Sequence, residues 1–132
     1  QLDHLVVGPH GVVVIETKNW SGRLIGTASD STWRQIRPGR APRRLANPVR
    51  QNDRHVAVVR ECLARGELGH VPVESLVVCS APDVQLELEA DEPLPVIRAD
   101  ELPRWWSTRL TAPPVLRTEE IERVTVRIQE AM

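Results

Sequence analysis

Asp3, Glu16 and Lys18 are the residues whose types and spacing can carry chemistry. Gly8-Pro9-His10-Gly11 reads as a turn between two strand-like runs, Leu2 to Val7 and Val12 to Asn19. If Gly8 lies opposite Gly11, paired positions sum to 19: Val7 faces Val12, and Asp3 faces Glu16. Directly opposed residues place their Cβ atoms about 4.5–5.5 Å apart on one face of the sheet. Glu16 and Lys18 are two apart on one strand, so they share that face. Two opposed carboxylates repel, and the cost calls for an offset. Lys18 supplies part of it. A divalent cation supplies more, and hard oxygen ligands suit Mg²⁺ or Mn²⁺. Such an ion polarises a phosphoryl group and lowers the pKa of a bound water, which is the minimal apparatus of phosphodiester hydrolysis. Lys18 would then orient the attacking water or stabilise charge on the phosphate. The competing reading is an amphipathic hairpin with Asp3 and Glu16 on its solvent face. Against it, Val12 and Val14 line one face of the second strand, and Val13 and Ile15 the other. A strand apolar on both faces is central, and charges at its end need a partner or a function.

These residues must be positioned by a small set of elements. After the hairpin, a strand is expected over Arg23 to Thr27 and another over Trp33 to Ile36. Arg37 to Ala46 has no periodicity and reads as an Arg- and Pro-rich loop. Asn47-Pro48 is a helix start, with Asn as N-cap and Pro in the first turn, and the helix should run to about Arg65 and stop at Gly66. Val56, Val59 and Leu63 form one stripe of that helix; Gln51, His55, Val58 and Cys62 form an adjoining one, turned towards the sheet. Glu74 to Ser80 reads as a buried strand, Val84 to Ala90 as a half-exposed one, and Val96-Ile97 as a last short strand. Asp100 is expected to cap a short helix carrying Trp105 and Trp106, one buried and one partly exposed. Thr118 is expected to cap a final helix with Glu119 and Glu120 in its first turn. The sum is a mixed α/β or α+β domain, a central mixed sheet flanked by helices.

A chain of 132 residues is the size of one domain. With four Trp and no Phe or Tyr, its core must be built from Val, Leu and Ile. The net charge is −1, but seven arginines lie between Trp33 and His55 (Arg34, Arg37, Arg40, Arg43, Arg44, Arg50, Arg54) against one acid, Asp53. Between Asp83 and Glu101 the balance reverses, seven acids to one base. A segregated field can orient a polyanion even when the total is near zero, so the arginines are candidate phosphate contacts and DNA the expected partner. The bland alternative is a solvated loop. Cys62 and Cys79 sit in apolar surroundings and are expected to be free thiols of a reducing, cytoplasmic compartment. No apolar run approaches the roughly 20 residues of a membrane span. His4, His10, His55 and His70 make no zinc pattern with the cysteines. Trp20, beside Gly22, is expected to be a packing anchor. The opening inside a strand pattern, without an initiator Met, leads us to expect a fragment of a longer protein, attached to further domains.

The string Gln1-Leu2-Asp3-His4-Leu5-Val6-Val7-Gly8-Pro9, followed by Gly11-Val12-Val13-Val14-Ile15-Glu16-Thr17-Lys18-Asn19-Trp20-Ser21-Gly22, closely resembles the nuclease-related domain (NERD) of the PD-(D/E)XK nuclease superfamily. The likeness is dense over the first 22 residues, continues in Asn47-Pro48-Val49-Arg50-Gln51, and is best over residues 1–65. It implies a restriction-endonuclease-like αβββαβ core whose first helix and first strand would precede this chain. It implies that Asp3 and Glu16 are metal ligands together with the backbone carbonyl of Thr17, and that Lys18 is the catalytic lysine. Some relatives add Gln-x-x-x-Tyr on the following helix; Gln51 fits that pattern, whereas His55 stands at the Tyr position. The expected activity is Mg²⁺- or Mn²⁺-dependent hydrolysis of DNA. The alternatives are a non-cleaving module that binds nucleic acid or protein, and a structural domain assembling as a homo-oligomer through an exposed sheet edge.

Overall fold

A computed structural model of the chain describes residues 4–131. The hairpin forms as its turn dictates. Strands β1 (His4–Gly8) and β2 (Gly11–Lys18) pair antiparallel, and every described pair sums to 19, from Gly8 opposite Gly11 to His4 opposite Ile15. Gly11 is required at the turn: its φ is +113°, and a Cβ there would run into the Pro72 carbonyl. Strand β6 (Val73–Cys79) lies parallel on the other side of β2, with Glu16 opposite Val77 and Lys18 opposite Cys79. The short β8 (Val96–Arg98) completes a first sheet in the order β1-β2-β6-β8. So β2 is flanked on both sides, as its two apolar faces require.

The helices cover both faces of this sheet. Val12 and Val14 pack against Val56, Val59 and Leu63 of α1 (Pro48–Arg65) and Val124 and Ile128 of α3 (Thr118–Ala131). Val13, Ile15, Leu76 and Val78 face Leu102, Trp105 and Trp106 of α2 (Leu102–Leu110). Each fully buried aliphatic side chain stabilises the fold by roughly 1.5–3 kcal/mol over an exposed one. This is the mixed α+β architecture expected from the order of elements, and it is consistent with a restriction-endonuclease-like fold.

The remaining strands form a second sheet, β5-β4-β3-β7, from β3 (Arg23–Thr27), β4 (Thr32–Ile36), β5 (Arg43–Ala46) and β7 (Gln85–Glu89). Its inner face, with Leu24, Trp33, Leu45 and Leu86, packs on Val77, Cys79 and Val96 of the first sheet. Gly26 leaves room for the Trp33 ring, whose Nε1 donates to the Thr27 carbonyl at 3.0 Å.

Several local expectations are corrected. Residues 43–46, read as loop, form β5: the register with β4 sets Leu45 beside Trp33, so tertiary pairing supplies the order that periodicity lacks. Val58, placed on the inward stripe of α1, is 55% exposed, because no neighbouring element covers that side of the helix. Asp100 does not cap the helix with the tryptophans; Glu101 accepts from the Arg98 N–H at the turn leading into α2. Thr118 is the first residue of α3 rather than its cap, and Glu120 reaches back to the Arg117 N–H. Trp105 and Trp106 are both half-buried, edge to face at 5.0 Å.

Candidate active site

The site is assembled where β2 ends under α1. Glu16 continues the face of Val12 and Val14, which α1 covers, and it is 93% buried (7% exposed). A lone carboxylate there would be costly. Lys18 offsets part of that: its Nζ lies 3.1 Å from Glu16 Oε1 and 5.2 Å from the centre of the Trp20 ring. Trp20 is itself packed against Leu24 and Cys79. The strand end is held from β6, where the Ser80 N–H donates to the Lys18 carbonyl at 2.9 Å.

The other Glu16 oxygen, Oε2, is buried with no hydrogen bond among the described residues. It faces His55 Nδ1 at 3.8 Å, and that nitrogen is likewise buried without a hydrogen bond among the described residues. One helical turn earlier on α1, Gln51 Oε1 is in the same state. Carboxylate, amide carbonyl and imidazole are all electron-pair donors, and buried donors of this kind normally have partners. A cation meets that need without a proton, so the side chains present fit a divalent metal. Among the described residues no group of three or more His, Cys, Asp or Glu is placed to hold one. Asp3, expected as the second carboxylate, lies outside the described residues. Thr17, whose carbonyl is the expected third ligand, sits between Glu16 and Lys18 with its side chain on the opposite face.

Two asparagines fix α1 over this point. Asn47 caps the helix, accepting from the Val49 N–H at 2.9 Å and the Arg50 N–H at 3.4 Å. Its amide donates to the Ala28 and Asp30 carbonyls, tying the helix start to the β3–β4 turn. Asn52 is fully buried and donates to the Val14 carbonyl at 2.9 Å and to Ser75 Oγ at 2.8 Å. Sequence reasoning missed Asn52, although a signal was present: a polar residue three after Val49 and four before Val56 interrupts the helix's apolar stripe. It also missed Gln35, buried on β4, whose Nε2 donates to the Ser21 carbonyl and holds the loop that follows Lys18.

The arginines do not gather into one patch. Arg34 and Arg44 stand opposite each other on the outer face of the second sheet. They share a depression with Asp30, Glu87 and Glu89, so acids from the segment that reads as segregated in sequence are folded beside them. Glu87 is held by Arg23 at 2.5 Å, and hydrogen bonding from Arg23 is the main force lowering the Glu87 pKa. Arg37, Arg40 and Arg43 lie near one another at the β4–β5 turn; desolvation, then Arg43 and Arg40, lower the Arg37 pKa. Arg50 and Arg54 project from α1, exposed, next to Gln51 and His55 in sequence. The other histidines are not part of the site: His10 Nε2 bonds the Ala112 carbonyl, His70 Nε2 bonds Glu120, and His4 is exposed. Cys62 and Cys79 are free, buried thiols. Among the described residues no helix is long and apolar enough to cross a membrane.

A mixed α+β domain that ends a central strand in a buried Glu, with a Lys two residues on and a polar helix face above, has the architecture of a nuclease-type domain. Comparison with known families agrees: residues 1–80 match the model of the nuclease-related domain, and the chain belongs to that family. The match runs past Arg65 through β6. Placement in the PD-(D/E)XK superfamily is consistent with it. The chain is 30% identical over 102 residues to a protein of Streptomyces coelicolor described as "Probable kinase PglW", covering 77% of this chain and 6% of that protein. It is 36% identical over 61 residues to an uncharacterized protein of Bacillus anthracis, covering 45% of this chain and 27% of that one. The chain thus spans only a small part of either relative. No solved structure matches it.

Proposed function

We propose that this domain hydrolyses phosphodiester bonds of DNA with the help of a divalent metal, Mg²⁺ or Mn²⁺. The observation that carries the reading is Glu16: a buried carboxylate at the end of a central strand, paired with Lys18 on one oxygen and without a hydrogen bond among the described residues on the other. Asp3, Glu16 and the Thr17 carbonyl would hold the ion, with Gln51 close above on α1. A bound ion would supply Lewis acidity to a phosphoryl oxygen and acidify a water. The remaining work falls to the chain itself. Lys18, half-buried and anchored between Glu16 and Trp20, keeps a cationic donor at the strand end, where it orients the attacking water and meets the charge that builds on phosphate. Attack by the water oxygen forms one P–O bond while the bond to the leaving sugar oxygen breaks. The exposed arginines, Arg50 and Arg54 beside the site and Arg34, Arg37, Arg40, Arg43 and Arg44 further off, provide sequence-independent contacts to the backbone. The kinase description of the Streptomyces protein is not carried over, since this chain covers 6% of it.

A second reading, a non-cleaving module for nucleic acid or protein, draws on the exposed arginines of α1 and of the β4–β5 region, which suit salt-sensitive contacts to a polyanion without any cleavage. One assay separates the two. The protein is incubated with plasmid and single-stranded DNA, with Mg²⁺ or Mn²⁺ and with EDTA. Metal-dependent cleavage that disappears in Glu16→Ala and Lys18→Ala supports the nuclease. Salt-sensitive binding without any cleavage replaces it with the module.

A further inference from the structure

We propose that His55 is a metal ligand through Nδ1, partnering Glu16 Oε2, and that the resulting nitrogen–oxygen donor set selects a first-row transition ion over Mg²⁺. The inference rests on the metal reading above and narrows it. Glu16 Oε2 and His55 Nδ1 are buried, face each other at 3.8 Å, and have no hydrogen bond among the described residues. That separation is too long for a hydrogen bond, which closes at about 2.7–3.2 Å. Yet two donors each about 2.1 Å from one ion stand roughly 3–4.2 Å apart, depending on the angle between them. The chain contains its own control: His70 and Glu120, an ordinary histidine–carboxylate pair, meet at 2.8 Å with a hydrogen bond formed. The Glu16–His55 pair is held open instead. The scaffold that holds it is rigid, since Asn52 pins α1 to β2 and β6 between Gln51 and His55.

Charge balance does not explain the arrangement. Lys18 already compensates Glu16 on the other oxygen. A His55 placed only to add positive charge would turn an N–H onto Oε2. For ligation, Nδ1 must present its lone pair and the ring proton must sit on Nε2. The carbonyl oxygen of Gln51, one turn earlier and also without a hydrogen bond among the described residues, is a further donor on the same helix face. Mg²⁺ prefers an all-oxygen shell, whereas imidazole suits the transition metals, whose affinities rise along the series from Mn²⁺.

The test titrates the full-length protein with Mg²⁺, Mn²⁺ and Co²⁺ separately by calorimetry, and follows Co²⁺ also by its visible absorption. The wild type is expected to bind Co²⁺ at least about tenfold more tightly than Mg²⁺. His55→Ala should weaken Co²⁺ by about 10–100-fold, change its visible bands, and leave Mg²⁺ within about threefold. Should that variant fail to fold by circular dichroism, His55→Asn, which keeps a polar atom near the Nδ1 position, is measured with the same expectation at smaller amplitude. Unchanged Co²⁺ binding in a folded variant, or equal losses for Co²⁺ and Mg²⁺, overturns the assignment. Co²⁺ binding through His55 in a protein that never cuts DNA supports the ligand and removes the nuclease. Cleavage with Mn²⁺ at the wild-type rate in His55→Ala, with unchanged Mn²⁺ affinity, keeps the nuclease and removes the ligand.

Discussion

Asn52 on α1 donates its side-chain amide to the Val14 carbonyl, two residues before Glu16 on β2, at 2.9 Å. The same nitrogen reaches Ser75 Oγ at 2.8 Å, so one buried side chain sets the helix against two strands. That contact fixes which residues of α1 look down on Glu16. Asn52→Ala should destabilise the domain by about 1–3 kcal/mol, because it orphans buried acceptors as well as deleting bonds. Urea unfolding measures it; a loss under about 0.5 kcal/mol would mean that the apolar stripe alone sets the helix.

Glu16→Gln separates activity from stability. The amide keeps the shape and removes a buried negative charge that Lys18 pairs on one oxygen. If the domain cleaves DNA as proposed, cleavage should fall by at least about a hundredfold, while stability changes by no more than about 1 kcal/mol, because relief of the carboxylate's desolvation offsets the lost charge pair with Lys18. A thermal melt beside the cleavage assay checks both. A marked loss of stability would make the carboxylate a structural group.

Glu87 gives a pH dependence whose sign is fixed. Hydrogen bonding from Arg23 lowers its folded-state pKa, so the pair stabilises the fold above the ordinary carboxylate pKa. That contribution is lost as the pH falls through the lowered, folded value. Both side chains are largely exposed, so the effect on stability is small. Carboxyl-selective NMR titration should find the Glu87 pKa higher in Arg23→Gln; no change would mean that the pair does not persist in solution.

Cys79 is fully buried, and desolvation pushes its thiol pKa up to about 11. Reaction needs the thiolate, which at pH 8 is then on the order of one part in a thousand. An alkylating reagent at that pH should leave Cys79 unmodified in the native protein and label it in urea, as read by peptide mass spectrometry. Rapid native labelling would contradict the packing of β6 against the second sheet.

Phosphate contacts have an ionic-strength signature. If Arg34 and Arg44 each meet a DNA phosphate, replacing both with Gln should lower the slope of log affinity against log salt by roughly two units on duplex DNA. An unchanged slope would place the DNA elsewhere, at Arg50 and Arg54 for instance.

The parts of this molecule that were legible in the sequence are those set by neighbours in the chain. The turn at Gly8–Gly11 dictates the hairpin register, and Asn47-Pro48 and Gly66 bracket α1. The Glu-Thr-Lys end of β2 could be read because strand alternation fixes its faces. What was not legible depends on distant partners. Residues 43–46 become a strand only because β4 is there to pair with. Cys62 is buried and Val58 exposed because α3 reaches one side of α1 and not the other; Arg127 on α3 donates to the Cys62 carbonyl. The apparent separation of basic and acidic segments dissolves once β7 lies beside β3. His55, whose role the spacing left open, is brought to 3.8 Å from Glu16 by the packing of helix on sheet.

Glu16 is matched with Val77 on a parallel neighbour that the chain reaches only after β3, β4, β5 and α1. Parallel strands joined by a long crossover close late, since the entropy of the loop must be met before the pairing rewards it. During synthesis the Glu-Thr-Lys motif therefore precedes β6, and its parallel partner is present only once β6 has left the ribosome. A nascent or prematurely terminated chain ending before residue 73 would carry Glu16 and Lys18 and yet lack the parallel strand that flanks them, so the proposed site is complete only once β6 has paired.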